Sequence, residues 1–242
     1  MILLNVLIFL KYGMLRKHNH MVKAKIINVH GKRAMYRKPY STTSALCYLV
    51  IPPTCVRGIY ARWFRSLFPR ETLYEDTKDW KVGIKINKQF YLCEGEFNLQ
   101  SHRSDRPVKN CIRSWLFDID YTFFVIMDND LDYSIGPESY LYLGKSEFFA
   151  VSEYIGEKEV EYIDSVSDFY SRCVLNADET EIDFEKIDST SGIYQRRIPI
   201  EGTWLSYYKK NINAVFTSGK DSIPFSKAKN LVKIGDDYMH LF

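Results

Sequence analysis

The chain has 242 residues and a formal net charge of +3, with 46% hydrophobic and 26% charged residues. This balance is typical of a globular protein and excludes an intrinsically disordered chain, and the length is sufficient for a large core. The five cysteines form no CxxC pair, which favours free thiols in a reducing, cytoplasmic compartment. No cofactor or metal site is expected, because the sequence contains no HExxH, P-loop or dinucleotide-binding motif.

The first apolar run, Ile2 to Leu10, is too short to span a bilayer, and it lacks the basic start and the cleavage site of a signal peptide. We therefore expect no association with a membrane. Strand-like alternation begins only at "MVKAKIINV". Residues 1–20 are predicted to be an upstream start or a poorly ordered extension.

Charge is segregated along the sequence. Residues 1–70 contain thirteen Lys or Arg and no acid, whereas residues 151–190 contain twelve acids and three bases. A basic surface attracts polyanions because their counterions are released on binding, and an acidic surface repels them. The pattern predicts that the amino-terminal part binds a polyanion and that the acidic part stays away from it.

Residues 22–30 alternate and are rich in β-branched side chains, which predicts a strand. Residues 44–51 are predicted to form a second strand or an extended segment that ends at Pro52. Thr54 can cap a helix over "CVRGIYARWFRSLF", whose apolar positions share one face. Its basic positions share another face, which is expected to be exposed. These basic positions are Arg57, Arg62 and Arg65.

Two strand-like segments, "WKVGIKINKQFYLCEGEFNL" and "NCIRSWLFDIDYTFFVIMD", flank the polar connection "QSHRSDRPVK". They predict a long β-hairpin with a basic tip. Residues 21–150 are thus expected to form an α+β domain of the ferredoxin-like, RNA-recognition type. For residues 151–242 we expect an irregular acidic connection up to residue 190, followed by a small β-rich region.

Basic and aromatic side chains are interleaved in "KRAMYRKPY", as expected of a surface that holds RNA phosphates and stacks on unpaired bases. The alternative is a metal-independent ribonuclease, in which His102, Arg103 and a neighbouring Tyr supply the acid, the base and the cation. Binding needs fewer special groups than cleavage, so it is the favoured prediction. The predicted RNA contacts are Arg33, Tyr36, Arg37, Lys38, Tyr40, Arg57, Arg62, Arg103, Arg106, Lys109 and Arg113.

The segment "GKRAMYRKPYSTTSALCYLVIPPTCVRGIY" resembles the opening of the CRISPR-associated Cas family five. A second segment, "YLYLGKSEFFA", is similar to the leucine-glycine-x-x-glutamate step of that family, and "CIRSWLFDIDYTFFV" resembles the strand after its hairpin. The resemblance covers roughly residues 21–150. The matching positions are Gly31, Tyr36, Lys38-Pro39, Ser41 to Ser44, Tyr48, Pro52-Pro53, Gly58, Leu143, Gly144 and Glu147.

This resemblance implies a subunit of Cascade, the type I CRISPR surveillance complex of antiviral defence. Such subunits have modified RNA-recognition folds and bind the 5′ handle of the guide RNA. They also cap the Cas family seven backbone filament and contact the large Cascade subunit and the target DNA near the protospacer-adjacent site. Their long hairpin is called the thumb, which in this chain corresponds to residues 100–113.

One branch of the family also cleaves precursor guide RNA, with a Tyr near the end of the first helix and a Lys-His pair before the leucine-glycine step. This chain has Phe64, which has no hydroxyl, at the position of the Tyr. The connection "DNDLDYSIGPESY" contains neither Lys nor His. The resemblance therefore implies the non-cleaving branch, and we expect a non-catalytic RNA-binding subunit, with a guide-RNA processing endoribonuclease as the alternative.

Overall fold

The structure, a computed structural model, describes residues 22–38, 44–63, 73–99, 109–127, 141–144, 147–187, 192–201 and 210–242. The extension predicted at residues 1–20 lies outside these ranges. Within them the fold is mostly antiparallel β-sheet with short helices. The helices are α1 (Pro53–Trp63) and α2 (Leu73–Thr77). The strands are β1 (Lys23–Ala34), β2 (Lys81–Ile86), β3 (Tyr91–Leu99), β4 (Lys109–Ile126), β5 (Leu141–Tyr142), β6 (Phe149–Glu159), β7 (Glu161–Ser171), β8 (Leu175–Asn176), β9 (Thr180–Ile182), β10 (Ile193–Glu201), β11 (Lys210–Thr217), β12 (Ile223–Ile234) and β13 (Asp237–Met239).

Strand β4 lies at the centre of the main sheet, which has the order β2-β4-β1-β6-β5, with β3 also paired to β4. Strands β1, β2 and β3 all run antiparallel to β4. Strands β1 and β2 are therefore parallel to each other, and α1 lies between them in the sequence. With 18 residues, β4 pairs with β1 on one edge and with both β2 and β3 on the other.

The two faces of the main sheet pack against different layers. Ile27 and its partner Phe123 belong to a first core, which also contains the apolar face of α1. The neighbouring pair, Ile26 and Phe124, points the opposite way because side chains alternate along a strand. That pair belongs to a second core, built with apolar side chains of β12 and its neighbours.

The carboxy-terminal part forms two smaller sheets, one ordered β10-β11-β8 and one in which β12 pairs with β7, β9 and β13. The prediction of an irregular connection from residue 151 to residue 190 is wrong, because β6, β7 and β9 occupy most of it. Strand β6 pairs with β1, so the main sheet extends past residue 150. Alternation in these strands is obscured in the sequence because their exposed positions carry Glu and Asp as well as apolar residues such as Val151 and Ile155.

Helix α1 begins at Pro53, one residue before the predicted cap at Thr54. The main-chain N–H groups of Cys55 and Val56 donate to the carbonyl oxygen of Pro52 at 2.9 and 3.2 Å. Proline is well suited to a first helical turn, because its fixed φ is helical and the N–H that it lacks would have no partner there. No helix among the residues described is long and apolar enough to cross a membrane.

Arg57 is buried, with 5% of its surface exposed, although it was predicted on an exposed basic face of α1. Its Nε donates to the main-chain oxygen of Trp80 at 2.8 Å. Its two terminal nitrogens donate to the main-chain oxygens of Ile200 and Phe242 at 2.7 and 2.9 Å. The guanidinium therefore joins α1 to three distant segments, which helical periodicity alone cannot reveal.

Replacing Arg57 with methionine is expected to lower the free energy of unfolding by roughly 2–4 kcal/mol, because three main-chain oxygens lose a charged donor. Urea denaturation followed by circular dichroism measures the change. The matched control is Gly58→Ala in the same helical turn, where an added Cβ meets nothing within 4 Å. Alanine is the better helix former, so the control should be at least as stable as the wild type. An Arg57→Met protein as stable as this control would contradict the role given to Arg57.

Candidate nucleic-acid interface

The face of the main sheet opposite α1 is uncovered beyond the second core, and we call it the open face. At its centre Asn28 pairs with Thr122, and His30 pairs with Asp120. Val151 of β6 lies next to His30 on the other side and is 55% exposed. The open face thus presents polar and apolar side chains of three adjacent strands to solvent.

Asp118 reverses the alternation of side chains along β4. Its φ of 62° lies in the left-handed region, which residues other than glycine seldom adopt. Ile119 and Leu116 both face the first core, although strict alternation would turn Leu116 to the opposite side. The half-buried residues Phe117, Trp115 and Arg113 consequently point to the side of the open face, together with Arg33, the partner of Phe117 on β1, while Cys111 on the same side is buried.

Strands β3 and β4 form a two-stranded ribbon that continues the open face. The pairs on this side are Tyr91–Phe117, Cys93–Trp115, Gly95–Arg113 and Phe97–Cys111, none of them acidic. Glu94 and Glu96 lie on the other side, because neighbouring residues of a strand point in opposite directions. The hairpin predicted from the sequence is thus observed up to the pair Leu99–Lys109, and its tip lies outside the described residues.

Three side chains of the ribbon pack around Gly95. A Cβ at this position would lie 3.2 Å from both the Phe97 and the Trp115 rings, so any larger residue would push the rings apart. The two ring centroids are 6.3 Å apart, with 59° between their planes. The guanidinium carbon of Arg113 lies 5.1 Å from the centroid of the Phe97 ring. These edge-on and cation–π contacts hold a cationic and aromatic surface in place.

An open depression of about 360 Å³ lies on the open face where β1, β4 and β6 meet. Phe149, 56% exposed, contributes an aromatic ring to it. The centroid of the Tyr142 ring lies 5.1 Å from that of Phe149, in a tilted arrangement. The other side chains that line the depression include His30, Lys32, Lys88, Asp118 and Val151. It therefore combines an aromatic ring with charged donors and acceptors.

His30 is held by a hydrogen-bonded network on the open face. Its Nδ1 lies 3.2 Å from Oδ2 of Asp120, while Asn87 donates from Nδ2 to Oδ1 of the same carboxylate at 2.7 Å. The hydroxyl of Thr122 donates to Oδ1 of Asn28 at 2.7 Å. Both oxygens of Asp120 are therefore engaged. In the part of the chain that the structure describes, no group of His, Cys, Asp and Glu side chains is arranged to hold a metal ion.

The segregation of charge along the sequence is not kept in space. Lys23 and Lys25 of β1 lie 3.9 and 3.4 Å from carboxylate oxygens of Glu157 on β6. Nζ of Lys88 lies 2.6 Å from Oδ1 of Asp118. Antiparallel pairing places β6 directly beside β1, so part of the acidic segment lies next to the basic segment.

Among the predicted RNA contacts, Arg33 and Arg113 lie on the same side of the sheet, the side of the open face. Arg33 is exposed, and Arg113 is half-buried over the Phe97 ring. Arg37 is exposed just beyond β1. Lys38 is half-buried, with Nζ 5.7 Å from the centroid of the Tyr48 ring. These cations are compatible with a contact to a polyanion.

The structure contradicts two of the predicted contacts, Tyr36 and Arg57. Tyr36 is 2% exposed within the first core, and burial raises the pKa of its hydroxyl well above the ordinary value. Its ring cannot stack on a base unless the core opens. Arg57 directs its guanidinium at main-chain oxygens of the protein itself, as described above.

The other predicted contacts cannot be placed on the open face. Tyr40, Arg103 and Arg106 lie outside the described residues, as does the alternative catalytic residue His102. Arg62 and Lys109 belong to α1 and β4, but their side chains are not among those described. A single groove formed by the amino-terminal part and the hairpin tip therefore stays a prediction.

Sequence reasoning missed the aromatic residues of the open face. The aromatic side of the ribbon could have been predicted from the sequence. In "YLCEGEFNL" the acids fall on even-numbered positions and Tyr91 and Phe97 on odd-numbered ones, so the two kinds of side chain point to opposite sides of a strand. For the depression no local signal existed. Phe149 meets Lys88 and Asp118 only through the register in which β6 pairs with β1 and β1 with β4.

Neither a protein-family model nor a curated protein matches the chain. A solved structure of a CRISPR protein from Archaeoglobus fulgidus superposes with a TM-score of 0.55 at 10% sequence identity, over 89% of this chain and 98% of that chain. A chain of a Type III-B Cmr-beta complex bound to cognate target RNA gives a TM-score of 0.46 at 12% identity, over 83% and 86% of the two chains. A chain of a CRISPR RNA-guided surveillance complex gives 0.43 at 9% identity, over 88% and 91%. On the first of these likenesses, the chain shares the fold of a CRISPR protein.

Proposed function

We propose that the protein is a non-catalytic RNA-binding subunit of a type I CRISPR surveillance complex. The observation that carries the proposal is the ribbon side of the open face, where Arg33 and Arg113 lie among the partly exposed rings of Tyr91 and Phe97. Lys and Arg hold phosphates, and exposed aromatic rings stack on bases. Single-stranded RNA offers both groups at once, whereas a duplex hides the faces of its bases.

The order of the strands supports a modified ferredoxin-like, RNA-recognition fold. Strands β1 and β2 are parallel, with β4 between them and α1 in their connection, and β6 lies on the other side of β1. RNA-recognition domains stack bases on the open face of such a sheet. The Archaeoglobus fulgidus protein with a similar fold is a CRISPR protein, which supports a CRISPR role for this chain.

The assignment to Cas family five rests on the three sequence segments that resemble it, and the first of them touches the segment with the leucine-glycine step in the structure. The main-chain N–H of Met35 donates to the oxygen of Leu143 at 3.0 Å. Gly144 has a φ of 91°, and a Cβ there would collide with the oxygen of Met35. The leucine-glycine step therefore supports the chain where it leaves β1.

In this role the protein holds the 5′ handle of the guide RNA and caps the Cas family seven backbone filament. Contacts to the large Cascade subunit and to target DNA near the protospacer-adjacent site complete the proposal. Co-purification of the protein with a backbone subunit and guide RNA tests these partners.

Alanine at Arg33 or Arg113 is expected to weaken binding of the guide RNA and to reduce its salt dependence, because each change removes one phosphate contact. The slope of log affinity against log salt should fall by about 0.7–1 per variant. Filter binding over a range of salt concentrations measures it. The matched control is Lys227→Ala, which removes an exposed cation of β12 outside the open face. A control slope that falls as much as the other two would contradict the assignment.

Tyr91→Ala is expected to weaken RNA binding by about 1–3 kcal/mol, as the loss of one stacked base would. The neighbouring residue supplies the control, since Leu92 is 45% exposed against 51% for Tyr91 but lies on the opposite side of the ribbon. Leu92→Ala should leave the affinity unchanged. Equal losses in the two variants would show that the ribbon side carrying Tyr91 is not the RNA-facing side.

No cleavage of precursor guide RNA is expected from the purified protein, since Phe64 replaces the catalytic Tyr of the cleaving branch. Labelled repeat RNA incubated with the protein should stay intact on a denaturing gel. A product ending in a 2′,3′-cyclic phosphate that disappears in His102→Ala would establish the ribonuclease instead.

A further inference from the structure

We infer that the depression at Phe149 recognises one unpaired base of the bound RNA and prefers guanine. This inference rests on the proposed RNA-binding function and deepens it, because it names the nucleotide that one part of the open face selects. The two parts of the open face have different roles. The ribbon binds single-stranded RNA of any sequence, and the depression distinguishes one base from another.

The dimensions of the depression fit one base. Its volume of about 360 Å³ is near the lower end of the range for small-ligand sites. Phe149 presents an exposed ring within it, and Tyr142 packs against that ring on the neighbouring strand β5. An aromatic ring that is fixed on one side and open on the other is a platform for a splayed-out base.

The charges of the depression favour a base over a phosphate. Among the described side chains that line the depression, the carboxylate is that of Asp118, and its Oδ1 lies 2.6 Å from Nζ of Lys88, so the charge of this ammonium is already compensated. A carboxylate repels a phosphate group, so a carboxylate is not expected in the wall of a phosphate-binding site. A base, in contrast, is uncharged and offers both hydrogen-bond donors and acceptors on its Watson–Crick edge.

Asp118 lines the depression and Asp120 contacts the lining residue His30, and the two carboxylates differ in what they still offer a ligand. Both oxygens of Asp120 are engaged by His30 and Asn87, and its side chain is 18% exposed. Asp118 contacts Nζ of Lys88 through Oδ1, and its side chain is 48% exposed. Asp118 is therefore the carboxylate with acceptor positions left for a base.

The pair formed by Asp118 and Lys88 complements guanine in particular. Guanine has two adjacent donors, N1–H and the N2 amino group, which one carboxylate accepts together, and beside them the acceptor O6, to which an ammonium donates. Adenine, cytosine and uracil each lack such a pair of adjacent donors. The left-handed backbone of Asp118 lies between Phe117 and Ile119, which both pair with β1, so the carboxylate is already in position before RNA binds.

The test uses four short RNAs in a uridine background that differ only in one central nucleotide. The guanosine RNA should bind the full-length protein about tenfold more tightly than the other three, as one good bidentate contact provides. Replacing guanosine with inosine, which lacks the N2 amino group, should remove most of this preference.

Asp118→Asn is the decisive variant, because asparagine tolerates the left-handed conformation and offers one acceptor instead of two. This variant should bind the guanosine RNA no better than the other three RNAs. Its affinity for those three should equal that of the wild type or be slightly higher. The control Asp164→Asn removes an equal charge from an exposed position of β7 and should keep the preference. Lys88→Met is a second variant. It removes the ammonium that donates to O6 of guanine, so it should also reduce the preference for the guanosine RNA.

The outcomes separate the two proposals. Tight and equal binding of all four RNAs by the wild type overturns the inference and leaves the RNA-binding function intact. Preference for another base, or a guanine preference that survives in both Asp118→Asn and Lys88→Met, also overturns it. Failure of the wild type to bind any of the RNAs overturns the proposed function itself.

Discussion

Strand β4 is hydrogen-bonded to β1 along one edge and to β2 and β3 along the other, so its path fixes the positions of all three. Because of the left-handed backbone at Asp118, the two halves of this strand direct their side chains differently. Beyond Asp118 its apolar side chains alternate between the two cores. Before it, the alternation is reversed, and the aromatic and basic side chains of the ribbon face the same side as His30. Without that reversal, Arg113 would lie on the side of the sheet that faces α1.

The elements that depend on local patterns could be predicted from the sequence. The alternation of residues 22–30, the helix that follows the proline pair and the two arms of the hairpin were all anticipated, with ends that differ by a residue or a few. These features follow from side-chain periodicity and from the geometry of proline, which act over a few residues. Strands β6 and β7 were missed because their exposed positions carry both acidic residues and apolar residues such as Ile155 and Tyr162, so neither strand shows a clean alternation.

The candidate site could be predicted only in part. Basic and aromatic residues near Arg33 were recognised from composition, whereas Arg57 was misplaced because its partners at residues 80, 200 and 242 are distant in sequence. Charge counts along the chain were also misleading. Antiparallel pairing placed Glu157 beside Lys23 and Lys25, so a basic stretch of sequence became a mixed surface in space. The acid-free surface in the structure is smaller and lies on the ribbon. It results from the register in which β3 pairs with β4, which composition does not reveal.

The way in which Arg57 is held has a consequence for how the protein is made. A nascent chain that ends before residue 200 can offer its guanidinium one of the three oxygens, that of Trp80. Burial of a charge without its full set of partners is unfavourable, so helix α1 has to stay partly hydrated until the later strands have been synthesised. Contacts over such long sequence separations also slow folding. Final docking of the helical layer against the main sheet is thereby coupled to translation of the carboxy-terminal strands.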